Sequence, residues 1–89
     1  MIVIHYSKQF IKSYQKVTKK DQQLKKLIER KIELFRKNPQ NKSLKTHKLS
    51  GKLKGTYSFW ILPDLRILFR WQEKQIVLLL AIGSHNQVY

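Results

Sequence analysis

Histidine, aspartate, arginine and tyrosine gather in the second half of this 89-residue chain. His47 opens that half, Asp64 and Arg66 sit near its middle, and His85 and Tyr89 close it. A histidine titrates close to neutral pH and can give or take a proton. An arginine offers a fork of donors to a phosphate and stabilises charge developing on it. Together these residue types suit phosphodiester chemistry. RNA brings its own nucleophile, the 2′-OH, so this reaction calls for no metal and no cofactor. The three histidines and five acids show no metal-ligand spacing such as HExxH, and there is no cysteine.

These residues need a sheet to fix them. Thr56–Leu62 alternates Tyr57, Phe59 and Ile61 with Thr56, Ser58 and Trp60, as a strand does. Pro63-Asp64 makes a tight turn. Leu65–Trp71 continues as a second strand, with Leu65, Ile67, Phe69 and Trp71 on one face and Arg66, Leu68 and Arg70 on the other. Gln75–Ile82 is apolar on both faces, as a central strand is, and Gly83 ends it. Sequential hairpins bring the Pro63-Asp64 turn and the Gly83 exit to the same end of the sheet. Asp64, Arg66 and the Ser84–Tyr89 tail therefore become neighbours, with Trp60, Arg66 and Arg70 on the face away from the packed one. His47 precedes the far end of the Thr56–Leu62 strand. It joins the others only if its linker folds back, and spacing alone does not require that.

The first half reads as support. Met1–Tyr6 alternates as a strand. Ser7 is a good N-cap for a short helix ending near Thr18, with Phe10, Ile11, Tyr14 and Val17 on one stripe. Thr18 and Asp21 have the spacing of a capping box for a second helix. Its stripe is Leu24, Leu27, Ile28, Ile32 and Phe35, and Asn38-Pro39 stops it. Gln40–Gly55 is a basic linker with turns permitted at Gly51 and Gly55. The expected fold is α+β, in the order β-α-α-β-β-β, with a helical hairpin on one face of a mainly antiparallel four-stranded sheet. Residues 1–89 are expected to form one domain. His5, among apolar residues of the first strand, reads as structural.

Charge is the sharpest bulk property. Nineteen Lys and Arg face Asp21, Glu29, Glu33, Asp64 and Glu73, for a net +14. Such a surface attracts nucleic acid first, an acidic protein by the same physics, and an anionic membrane less. It exceeds what solubility needs. Lys52 and Lys54 fit phosphate binding, and Trp60 serves either as packing or as a platform for a base. Hydrophobic residues are 42% of the chain, enough for a real core. The absence of cysteine fits a reducing cytoplasm. The segment MIVIHYSK is too short and polar for a secretory leader, and Ile76–Ile82 is far below the roughly 20 residues of a membrane span.

HKLSGKLKG, YSFWILPDLRILFR and LLAIGSHNQVY resemble the RelE/ParE superfamily of bacterial toxins, in its YafQ-like branch. The most specific pieces are H-x-L-x-G-x-L-x-G at His47–Gly55 and G-S-H-x-x-V-Y at Gly83–Tyr89. The resemblance spans nearly the whole chain. It implies a small basic ribonuclease that cuts mRNA on the ribosome and is held inactive by an acidic cognate antitoxin. It implies catalytic roles for His47, Asp64 and His85, a phosphate-binding role for Arg66, and an RNA contact for Tyr89. Trp60 stands where the YafQ-like pattern has a second histidine, and Ala81 where it has an arginine. Arg66 is a candidate to replace that arginine's charge. The sister ParE branch shares the fold but poisons DNA gyrase without cutting RNA.

Overall fold

The structure is a computed structural model and describes residues 1–49 and 55–84. Its elements are β1 (Val3–Tyr6), α1 (Lys8–Thr18), α2 (Gln22–Lys37), a 3-10 turn (Lys42–Leu44), β2 (His47–Lys48), β3 (Tyr57–Leu62), β4 (Leu65–Glu73) and β5 (Ile76–Gly83). The sheet order is β1-β5-β4-β3-β2. All neighbours are antiparallel except β1 and β5. The helical hairpin and the strand order match the expectation. A fifth strand, the short β2, is added from the segment read as a plain linker.

One face of the sheet packs under the helices. Ile28 and Phe35 of α2 and Phe10 of α1 meet Phe59, Ile61, Ile67, Phe69, Val77, Leu79 and Ile82. Phe35 lies flat on Phe59, with ring centroids 4.4 Å apart, and edge-on to Phe69 at 4.8 Å. Ring pairs of this kind add about 0.5–1.5 kcal/mol beyond the area they bury. The expected stripes hold, except that Ile11 is largely exposed.

Local chemistry sets the helix ends. The Ser7 hydroxyl accepts from the Phe10 N–H at 3.0 Å and caps α1. Asp21 caps α2 by accepting from Leu24 N–H at 2.9 Å. The capping box expected between Thr18 and Asp21 does not form. Thr18 instead donates its hydroxyl to Tyr14 O at 2.7 Å, within the last turn of α1. That bond turns the hydroxyl back onto the carbonyl four residues earlier in its own helix and leaves the cap to Asp21. Asn38 ends α2, its N–H donating to Leu34 O. Gly55 adopts φ +87° ahead of β3, a backbone region that favours glycine. Gly51 lies outside the described residues.

The apolar run of β5 contains a register shift that its sequence hides. Leu68 pairs with Ala81, but Phe69 pairs with Leu79, so Leu80 is the extra residue. Val77 and Leu79 point to the helices before the shift, and Ile82 does so after it. Ala81 and Gly83 are thereby turned to the other face, paired with Leu68 and Arg66. Backbone groups here lie past the end of β1, and α1 satisfies them. The Ser7 hydroxyl donates to Leu80 O at 3.0 Å, and Ser13 Oγ accepts from Ile82 N–H at 3.1 Å.

Candidate functional site

The second face of the sheet carries the residues of interest. Hairpin register puts Trp60 directly opposite Arg66, and Arg66 opposite Gly83. The turn holding Asp64, the guanidinium of Arg66 and the exit of β5 therefore share one end of the sheet, as expected. Asp64 is exposed in the turn. Arg66 is half-buried, and its Nη2 donates to Pro63 O at 3.5 Å, across the same turn. The chain leaves Gly83 towards His85, which lies outside the described residues.

His47 resolves differently from the bare spacing argument. The linker does fold back: His47 pairs with Ser58 and Lys48 with Tyr57. Leu49 N–H extends the pairing by donating to Thr56 O at 2.9 Å. Buried Leu44 drives this, since the 3-10 turn that anchors it in the core returns the chain to the edge of β3. His47 now shares a row with Ser58, Leu68 and Ala81, one two-residue step from the row of Trp60, Arg66 and Gly83. Strand spacing puts the His47 and Arg66 backbones roughly 12 Å apart, within reach of long side chains. His47 is exposed.

This second face is not bare. Ser58, Leu68, Ala81 and Gly83 are buried, and so is Leu49, in step with His47. The charged groups stand around that strip. Arg70 is exposed and pairs with Leu78 further along β4. His5 lies in that same row, on the far edge strand, where its Nδ1 is 3.1 Å from Gln72 Oε1. His5 is exposed there.

Trp60 is the centre of the cationic cluster. The Arg66 guanidinium carbon lies 5.2 Å from its ring centroid and Lys45 Nζ lies 4.5 Å from it. Both distances are in the cation–π range. Lys45 was one linker lysine among several in the sequence. Its closeness in sequence to His47, two residues on, is the only signal that sets it apart. Lys52, Lys54, His85 and Tyr89 lie outside the described residues. Among the described residues no group of three His, Cys, Asp or Glu side chains is placed to hold a metal ion. Among the described residues no helix is long and apolar enough to cross a membrane.

Known proteins share this arrangement of helices and strands. The chain superposes on a metal-bound toxin from Helicobacter pylori with a TM-score of 0.81, at 26% identity and with 100% of each chain covered. It superposes on YafQ from E. coli strain BL21(DE3) with a TM-score of 0.81, at 22% identity, covering 100% of this chain and 99% of that one. YafQ in the E. coli DinJ-YafQ complex gives 0.79 at 22% identity, with the same coverage. No curated protein matches the sequence. The fold is therefore that of the RelE/ParE superfamily toxins. The family model described as "Bacterial toxin of type II toxin-antitoxin system, YafQ" matches residues 2–89, and the chain belongs to that family.

Proposed function

We propose that this toxin is an endoribonuclease that cleaves mRNA on the ribosome and so stops translation. The observation that supports it best is the return of β2, which sets His47 beside the Trp60–Arg66 pair on a strongly basic sheet face. In this reading the RNA 2′-OH attacks the adjacent phosphorus. The 2′-O–P bond forms and the P–O5′ bond breaks. One histidine of the pair His47 and His85 removes the 2′ proton, and the other protonates the departing 5′ oxygen. The products are a 2′,3′-cyclic phosphate and a 5′-OH. Arg66 stabilises charge on the pentacoordinate phosphorus, and Asp64 orients a histidine or acts as the base. Lys52, Lys54 and Arg70 bind neighbouring phosphates, while Trp60 and Tyr89 contact bases.

The net +14 also supports an acidic antitoxin as the partner that silences this surface. The DinJ-YafQ complex is an example of a toxin of this family with a bound partner. The deciding experiment expresses wild type, His47→Ala and His85→Ala and measures growth and mRNA 5′ ends together. Growth arrest with new 5′ ends in wild type, both lost in the variants, is expected. Unchanged cleavage in both variants removes the two histidines from the mechanism. Intact mRNA with accumulating DNA cleavage complexes would replace the ribonuclease reading with gyrase poisoning.

A further inference from the structure

We propose that Lys45 is a phosphate-binding residue of this site, poised by Trp60 across from Arg66 and directed at a backbone phosphate of single-stranded RNA. The proposal rests on the ribonuclease reading and adds to it a residue from outside the family motif.

Lys45 follows the 3-10 turn Lys42–Leu44 and holds φ 47° and ψ 48°, a left-handed conformation. Among described non-glycine residues only Gln75 shares a positive φ, and it sits in the tight turn between β4 and β5. A lysine has no intrinsic preference for that region. Three contacts hold it there. Lys45 N–H donates to Lys42 O at 3.1 Å, Asn41 caps the turn by accepting from Ser43 N–H at 2.9 Å, and Leu44 is fully buried. Non-glycine residues kept in costly backbone regions concentrate where function requires them.

The consequence is electrostatic. Lys45 lies ahead of β2 and Arg66 lies on β4, so the two cations approach Trp60 from strands on either side of β3. Among the described residues no carboxylate pairs with Lys45. Its ammonium rests on the indole instead, which holds the position without neutralising the charge. Two like charges gathered at one ring repel, and an anion bound beside them offsets that repulsion. His47 opens β2 two residues further along the chain, so a phosphate held by Lys45 lies close to the proposed proton-transfer group.

The test measures binding of a short, fluorescently labelled RNA fully 2′-O-methylated to block cleavage, by anisotropy over a range of KCl. Wild type, Lys45→Gln, Lys45→Gly, Lys45→Arg and the α2 surface variant Lys25→Gln are compared. Lys45→Gln and Lys45→Gly are both expected to bind several-fold more weakly, with the slope of log K against log salt reduced by about 0.7, the loss of one phosphate contact. Lys45→Arg keeps the slope, and Lys25→Gln leaves it unchanged. Lys45→Gly separates charge from backbone, since glycine relaxes the left-handed conformation yet removes the cation. A wild-type slope in Lys45→Gln overturns the assignment of Lys45 while the ribonuclease reading stands. If wild type neither binds this RNA nor cleaves mRNA on translating ribosomes, the ribonuclease reading fails and the assignment falls with it.

Discussion

The two faces of one sheet are built by different rules. Under the helices, Phe59, Ile67, Val77 and Leu79 are fully buried and Phe69 nearly so, and the space between strands and helices is filled by ring on ring. On the other face the same strands present Ser58, Trp60, Arg66, Arg70, Ala81 and Gly83, joined at the edge by Lys45 and His47. The acids divide the same way. Asp21 caps α2, and Glu29 and Glu33 belong to it, with Glu33 bonded to Arg36 within the helix. A groove of about 510 Å³ on the helical side is rimmed by Tyr6, Phe10, Ile11, Tyr14, Glu29 and Glu33, an apolar and acidic lining opposite in character to the cationic cluster. One face therefore carries stability and the other carries the cationic cluster of the proposed site, and substitutions should separate the two.

The most severe break is at the packed face. Phe35→Ala removes a fully buried ring that touches both Phe59 and Phe69. Residual cavity and lost transfer energy together should cost roughly 3–5 kcal/mol. Urea denaturation should show a much lower midpoint with an unchanged slope. A loss below about 1 kcal/mol would show that the rings contribute far less than large buried side chains do, and that the division between faces is wrong.

Arg66→Ala asks the converse question. Arg66 is half-buried beside Trp60 at the mouth of the proposed site. Losing a donor that stabilises developing charge should lower RNA cleavage on the order of 100-fold. Stability should change by about 1 kcal/mol or less, since no packed aromatic is removed. Cleavage assays and denaturation on the same preparation check both halves. A variant that unfolds as readily as Phe35→Ala would make Arg66 a structural residue and merge the two faces.

How much of this was legible follows the same division. Alternation alone placed Phe59, Ile61, Ile67 and Phe69 under the helices and Trp60 and Arg66 on the other side, because period-two patterns survive wherever one face is apolar. Hairpin order alone put Arg66 beside Gly83. The register shift at Leu80 was not legible, since an unbroken run of Val, Leu and Ile carries no parity. What fixes it are hydroxyls of Ser7 and Ser13 that come from distant sequence. The fold-back of His47 was hidden for a related reason. It depends on Leu44 entering the core, and one leucine in a lysine-rich segment gives no periodicity. Hairpin order made Asp64 and the His85 tail neighbours of Arg66, but their specific catalytic roles came from the family resemblance, as did the expectation that His47 joins them.

The finest distinction concerns polar contacts on the helical side. Tyr14 on α1 donates its hydroxyl to Glu29 Oε2 on α2 at 3.0 Å. Burial first, then this hydrogen bond and the charge of Glu29, push its phenol from the usual 10.0 up to about 12. The folded value is raised, so the protonated phenol is favoured by folding. Its stabilising contribution is complete below pH 10.0 and is lost as pH rises to about 12. Tyr14→Phe removes the titrating group together with the bond. The wild type should be the more stable of the two below pH 10.0, with the gap closing as pH approaches about 12. Denaturation midpoints of both proteins across this window provide the measurement. A gap that stays constant throughout would mean that Tyr14 titrates alike in folded and unfolded chains. The hydroxyl would then contribute to the contact between α1 and α2 without any coupling of its titration to folding.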